Sequence, residues 1–277
     1  MSQGFDLNGN YYSYVNNNTV PLVFIHGVGL DHKMWKPQID SLKNYSTLTY
    51  DLLGHGKTDL TLNEITLDDF SNQLRSILKF LKIDKINLIG FSLGSLIAIN
   101  FASKFQNVLE RLTLIGTTYK RTDEQRAKVL ERFEQAKLNK PISKQALKRW
   151  FSDEYLKSNP KIYDQFMKIL NKKPEDHLNF LKAYKLFANH KDNIEMIKNI
   201  KTKTLVMTGA NDPGSTVTMS KSLSNDLLNS DFVEMNLDNN FINILDSRWL
   251  LLLTYLRWVM FKMKLLFYLF LRTKEKP

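Results

Sequence analysis

Cysteine is absent from the 277-residue chain, which excludes disulfides, thiolate nucleophiles and cysteine-ligated zinc. Histidine is scarce, with five residues at positions 26, 32, 55, 177 and 190. The 87 residues after His190 therefore carry no imidazole, and with it no side chain that ordinarily titrates near neutral pH. The first ten residues, MSQGFDLNGN, lack both a basic start and an apolar stretch. No signal peptide is expected from them, and a cytoplasmic location is the expectation. No helix-turn-helix, zinc or RNA-binding signature accompanies the net charge of +11, so a nucleic-acid partner is not expected.

What is present describes a folded protein. Hydrophobic residues make up 43% and charged residues 24% of the chain, the proportions of a globular domain large enough for a full core. The positive charge is uneven. Residues 119–200 hold 19 basic against 11 acidic side chains, and 248–277 hold 7 against 1. Solvated lysine-rich helix faces account for the first of these.

Glycines number only 11, so where they cluster is informative. Gly90-Phe91-Ser92-Leu93-Gly94 follows a short apolar run, Ile86 to Phe91, and precedes the helix-like LGSLIAINFA. A serine held on a tight strand-to-helix turn requires small flanking residues and exposes its hydroxyl at the sheet edge. Ser92 is accordingly the candidate nucleophile. Val20 to Ile25 is a second apolar run and ends in His26-Gly27-Val28-Gly29. Acyl transfer needs a second backbone N–H to share the oxyanion with the amide after the nucleophile. The oxyanion-hole candidates are therefore the amides of Val28 and Leu93. His55 sits in a glycine-flanked stretch, DLLGHG at 51–56, and reads as a turn residue rather than a base.

Further elements follow from pattern. Tyr11–Val15 reads as an edge strand, and Thr47–Tyr50 and Leu112–Ile115 as strands. Met34–Leu42 reads as a short helix after Asp31. Thr66 caps a helix running to Lys82, with Asp69 completing the cap and Leu67, Phe70, Leu74, Ile77, Leu78 and Leu81 on one face. Residues 119–200 are helical and aromatic-rich, too long for a simple connection, and are expected to form a lid. Thr204–Thr208 resumes the strand pattern and runs into Gly209-Ala210-Asn211-Asp212-Pro213. Asp212, at the end of a late strand, is the candidate acid. Ser215–Leu228 reads as a helix and Phe232–Met235 as the last strand.

With HGVG at 26–29, DLLGHG at 51–56, GFSLG at 90–94 and GANDP at 209–213 in that order, the chain resembles the α/β-hydrolase fold family. Met34-Trp35, Arg149-Trp150-Phe151 and the lid pattern look most like the 3-oxoadipate enol-lactonase and carboxylesterase branch. The resemblance implies a mostly parallel sheet with helices on both faces. It implies a core of 1–118 and 201–277 and a helical lid of 119–200. It also implies a Ser92 nucleophile, an Asp212 acid, a small-molecule ester or lactone substrate, and neither cofactor nor metal.

The chain departs from the family after the last strand. Where the family places a histidine, the sequence reads Asn240-Phe241-Ile242-Asn243. An amide hydrogen-bonds but cannot take a proton near neutral pH, so an impaired hydrolase or a non-catalytic ligand-binding descendant are the two expectations. Residues 249–271 are mostly large and apolar but contain Arg257, Lys262 and Lys264. Their length approaches a bilayer span, yet three internal cations favour a helix lying on a membrane surface or packed on the protein. A reading-frame change between Asn236 and Asn240 would account for the lost histidine and the apolar tail together.

Overall fold

The structure is a computed structural model describing residues 1–138, 142–151, 153–170 and 174–235. Asn240 and the apolar stretch 249–271 lie outside the described residues. Eight strands form one sheet: β1 (Ser2–Phe5), β2 (Tyr11–Val15), β3 (Leu22–Ile25), β4 (Thr47–Tyr50), β5 (Ile86–Phe91), β6 (Leu109–Ile115), β7 (Thr204–Gly209) and β8 (Ser230–Met235). Their order is β1-β2-β4-β3-β5-β6-β7-β8. From β4 to β8 every pairing is parallel, and only β1 and β2 join antiparallel.

Helices connect the parallel strands, as a parallel sheet demands. They are α1 (Lys36–Ser41), α2 (Leu67–Phe80) and α3 (Leu93–Phe105) before β6, and α10 (Val217–Asp226) between β7 and β8. Between β6 and β7 come α4 (Asp123–Lys137), α5 (Ile142–Trp150), α6 (Asp153–Ser158), α7 (Pro160–Leu170), α8 (Pro174–Asn189) and α9 (Ile194–Lys198). The long stretch of helical periodicity in the sequence thus corresponds to six helices, with no strand among its described residues.

The helix faces match their patterns. In α2, Phe70, Leu74, Ile77 and Leu78 are buried against the sheet, and Thr66 and Asp69 form the reciprocal capping box. In α3 every residue from Leu93 to Ala102 is buried, because α2 covers its outer side. One side of the sheet carries the core built with α2, α3 and α10. The other gathers Phe24, Ile89, Phe91, Ile115 and Met207 with Met34, Trp35, Leu147, Phe151 and Phe166.

Three expectations are corrected. Tyr11–Val15 is not the edge, because β1 pairs outside it; the four residues of β1 are mostly exposed and carry no apolar alternation. The helix expected from Met34 starts as a 3-10 turn at His32–Trp35, capped by the Asp31 side chain, and becomes α-helical at Lys36. The helix expected over Ser215–Leu228 is shorter at both ends, since Thr216 caps it and Leu227 returns to extended backbone.

Candidate active site

Ser92 stands between β5 and α3 with φ +54° and ψ −115°, a backbone state that costs a non-glycine residue about 1–3 kcal/mol. The surroundings dictate it. A Cβ on Gly90 would lie 2.3 Å from the Gly94 carbonyl oxygen, and one on Gly94 would lie 2.4 Å from the Ile25 carbonyl oxygen. The two glycines let α3 start directly against β3 and β5. The Ser92 N–H donates to the Ile115 carbonyl at 2.9 Å. Ser95, one turn on, has its Oγ 2.7 Å from the Gly90 carbonyl and accepts the Ile115 N–H at 3.2 Å. The turn is therefore tied to β5 and β6 at once. Ser95 went unnoticed in the sequence, and only its position three residues after Ser92 could have flagged it.

The glycine loop after β3 meets this turn. A Cβ on Gly27 would lie 3.4 Å from the Ser92 Cβ and 3.0 Å from the Phe91 ring, so the glycine loop that carries Val28 passes close to the serine. Leu93 is the first residue of α3, a position whose N–H has no acceptor within its helix. Two histidines fix the loop from below. His26 Nδ1 donates to the Gly27 carbonyl at 2.8 Å while its Nε2 accepts the Leu52 N–H at 3.0 Å. His55 Nε2 accepts the Gly29 N–H at 3.1 Å, with Nδ1 3.1 Å from the Leu53 carbonyl. Both rings are buried, and both nitrogens of each are engaged. His55 is thus a scaffold of the glycine loop.

Asp51 anchors the same region. Its Oδ1 accepts from the His32 N–H and lies 2.7 Å from His32 Nδ1, and its Oδ2 accepts from the Lys57 N–H. Burial pushes the Asp51 carboxyl up, but the hydrogen bonds from the His32 side chain and N–H and the electrostatic pull of His32 outweigh it and hold the group below its ordinary value. Asp31, His32 and Asp51 bring ligand atoms within 4.8 Å of one another. Three of their four carboxylate oxygens accept N–H groups of the same region, including Lys33 N–H on Asp31 at 2.8 Å, so the cluster helps to hold the loop.

Asp212 follows β7, at the same C-terminal edge of the sheet as Ser92 after β5. Its Oδ1 accepts from the Gly214 and Ser215 N–H groups at 2.8 and 3.0 Å. Ser215 Oγ donates to the Gly116 carbonyl at 2.7 Å, joining the Asp212 turn to the end of β6. A Cβ on Gly116, where φ is +57°, would lie 3.7 Å from Asp212 Oδ2. Next to it, Thr117 and Thr118 are buried, and their hydroxyls find no partner among the described residues. Sequence reasoning passed over this pair; a GTT at a strand end was its signal.

The structure thus brings Val28, Ser92, Leu93 and Asp212 to one edge of the sheet, where open parallel sheets bind ligands. Among the described residues no histidine hydrogen-bonds Ser92. His32, His177 and His190 have partners elsewhere.

Comparison with known proteins agrees with this architecture. A family model described as the alpha/beta hydrolase fold matches residues 20–246. The (E)-2-((N-methylformamido)methylene)succinate hydrolase of Acinetobacter baylyi is 28% identical over 227 residues, covering 81% of this chain and 84% of that protein. The 3-oxoadipate enol-lactonase 1 of the same organism is 27% identical over 235 residues, covering 83% and 82%. Among solved structures, the enol-lactonase from Burkholderia xenovorans LB400 has the same fold, with a TM-score of 0.79 at 21% identity, covering 94% of this chain and 100% of that one. The match spans most of the chain and includes all four glycine-bearing motifs. By sequence and by architecture, the chain belongs to the α/β-hydrolase family.

Proposed function

We propose that this α/β hydrolase cleaves a small carboxylic ester or lactone by acyl transfer through Ser92. The observation that carries the reading is the Ser92 backbone at φ +54° with the Gly27–Val28 loop against its side chain. In the proposed reaction Ser92 Oγ attacks the substrate carbonyl carbon. The N–H groups of Val28 and Leu93 hold the oxygen that becomes negative, the largest single contribution in reactions of this kind. The carbon–oxygen bond to the leaving alcohol then breaks; for a lactone that alcohol stays within the acyl group. Water hydrolyses the acyl-serine and frees the carboxylate.

The lid reading of residues 119–200 is supported by α8. Phe180 and Asn179 reach the glycine loop and the turn after β4, where Cβ atoms on Gly29 and Gly54 would lie 3.1 Å from them. The named activity of the enol-lactonase relative supports a lactone or ester substrate, and the other relative is named a hydrolase of a substituted succinate. Asp212 is assigned as the acid that would orient an imidazole, but the sequence supplies none after it. Loss of the base removes on the order of 10⁴–10⁶ of the rate in serine hydrolases, so turnover is expected to be slow.

The test is hydrolysis of p-nitrophenyl acetate and of a simple lactone by the full chain and by Ser92→Ala, alongside labelling with a fluorophosphonate. Slow turnover and labelling that both vanish in Ser92→Ala support the reading. A folded wild-type protein showing neither sinks it.

A further inference from the structure

A cavity of about 650 Å³ lies on the outer flank of α8, between that helix, α4 and the segment leading into α2. Ser92, Val28 and Asp212 do not line it. The periodicity of α8 explains the separation. Phe180, Ala183, Tyr184 and Phe187 point into the core, whereas Leu181, Lys182, Lys185, Leu186 and Asn189 fall on the other stripe and face the cavity.

Its floor is apolar. Ile65 and Phe133 are buried and meet the half-buried Leu181 and Leu186 there. Its rim is cationic. Lys137, Lys182, Lys185 and Lys191 line it against a single acid, Glu64. Some lysines elsewhere are matched by close acids, as Lys36 is by Asp40 at 2.8 Å and Lys128 by Glu124 at 2.6 Å. Here Lys185 stands 3.9 Å from Glu64, whose side chain is 89% exposed, and Lys182 donates to the Leu62 carbonyl rather than to an acid. Lys191 has no partner among the described residues. Lys137 alone is well paired, with Glu134 at 2.8 Å.

The volume is that of small-molecule pockets. An apolar floor under uncompensated positive charge suits a ligand with a hydrocarbon body and one negative head. No arginine lines the cavity, so no bidentate fork is offered there; lysine ammonium groups serve a singly charged head such as a carboxylate as point charges. We infer that this cavity is a second binding site, separate from Ser92, for an aliphatic carboxylate. The alkyl chain lies on Phe133, Leu181 and Leu186, and the head meets Lys185 and Lys191. The inference does not depend on Ser92 chemistry, and its test reads no turnover.

The probe is decanoate, titrated calorimetrically into the full chain at low salt, with decanol and decylamine as neutral and cationic counterparts. Decanoate is expected to bind about tenfold tighter than decanol, since two or three exposed charge contacts contribute about 1–2 kcal/mol together. That preference should shrink as salt rises. The double variant Lys185→Glu, Lys191→Glu changes two exposed residues and should keep the wild-type melting temperature while losing the preference. A diazirine-bearing fatty acid should label peptides covering 181–191 or 133–137. Equal affinity for decylamine, unchanged binding by the double variant, or labelling confined to other peptides would each overturn the site.

Discussion

Asn240 decides more about this protein than any other residue, although it lies outside the described structure. If the chain after β8 keeps the family's path, Asn240→His supplies the base that the proposed role of Asp212 calls for. Turnover of p-nitrophenyl acetate should then rise on the order of 10²–10⁴-fold, and the gain should disappear when Ser92→Ala is added. No gain in a folded variant would show that Asn240 does not stand where the histidine belongs. Asp51 offers a test of the scaffold instead. Its carboxyl is held below its ordinary value in the folded chain, so its stabilisation is complete above the unfolded value of about 4 and is lost as pH falls through the lower folded value. Asp51→Asn should cost about 1–3 kcal/mol at pH 7, where N–H groups lose part of their acceptor. The difference from wild type in urea midpoint should narrow at pH 3; a gap that stays constant with pH would refute the carboxylate as its source.

At the scale of elements, the cap of α2 is the cleanest case of local sequence setting structure. Thr66 is exposed and hydrogen-bonds to Asp69, so Thr66→Ala should lower stability by about 1 kcal/mol and the melting temperature by about 2–4 °C. A loss several times larger would mean that Thr66 does more than cap. The same locality explains what could be read without coordinates. The strands β3 to β8 announce themselves as short apolar runs, and the Ser92 turn does so through Gly90 and Gly94, whose contacts lie within a few residues or on the adjacent strand. β1 could not be read, because an exposed four-residue edge needs no apolar pattern. The 3-10 start at His32 could not be read either. Besides its local Asp31 cap, it is held by Asp51, nineteen residues away, which accepts from the His32 N–H. Ser95, Thr117 and the histidines beneath the glycine loop owe their roles to neighbours in space, which spacing along the chain does not reveal.

For the whole molecule, the distribution of charge and apolar surface makes a claim about where it works. The described residues contain no helix long and apolar enough to cross a membrane, and 249–271 lies outside them. That stretch combines Trp249, Trp258 and a run of leucines with Arg257, Lys262 and Lys264. The composition suits an interface between water and anionic lipid, where aromatic and basic side chains meet headgroups and leucines enter the acyl boundary. A span would have to bury three cations, at about 2.5–3.5 kcal/mol for each near the bilayer centre. We therefore expect the full chain to sediment with phosphatidylserine-containing vesicles and to be released by high salt. A chain cut after Ser247 should stay in the supernatant. Retention through high salt and alkaline carbonate would favour insertion over surface contact. Equal solubility of the two chains with no vesicle binding by either would assign 249–271 to packing against the protein itself.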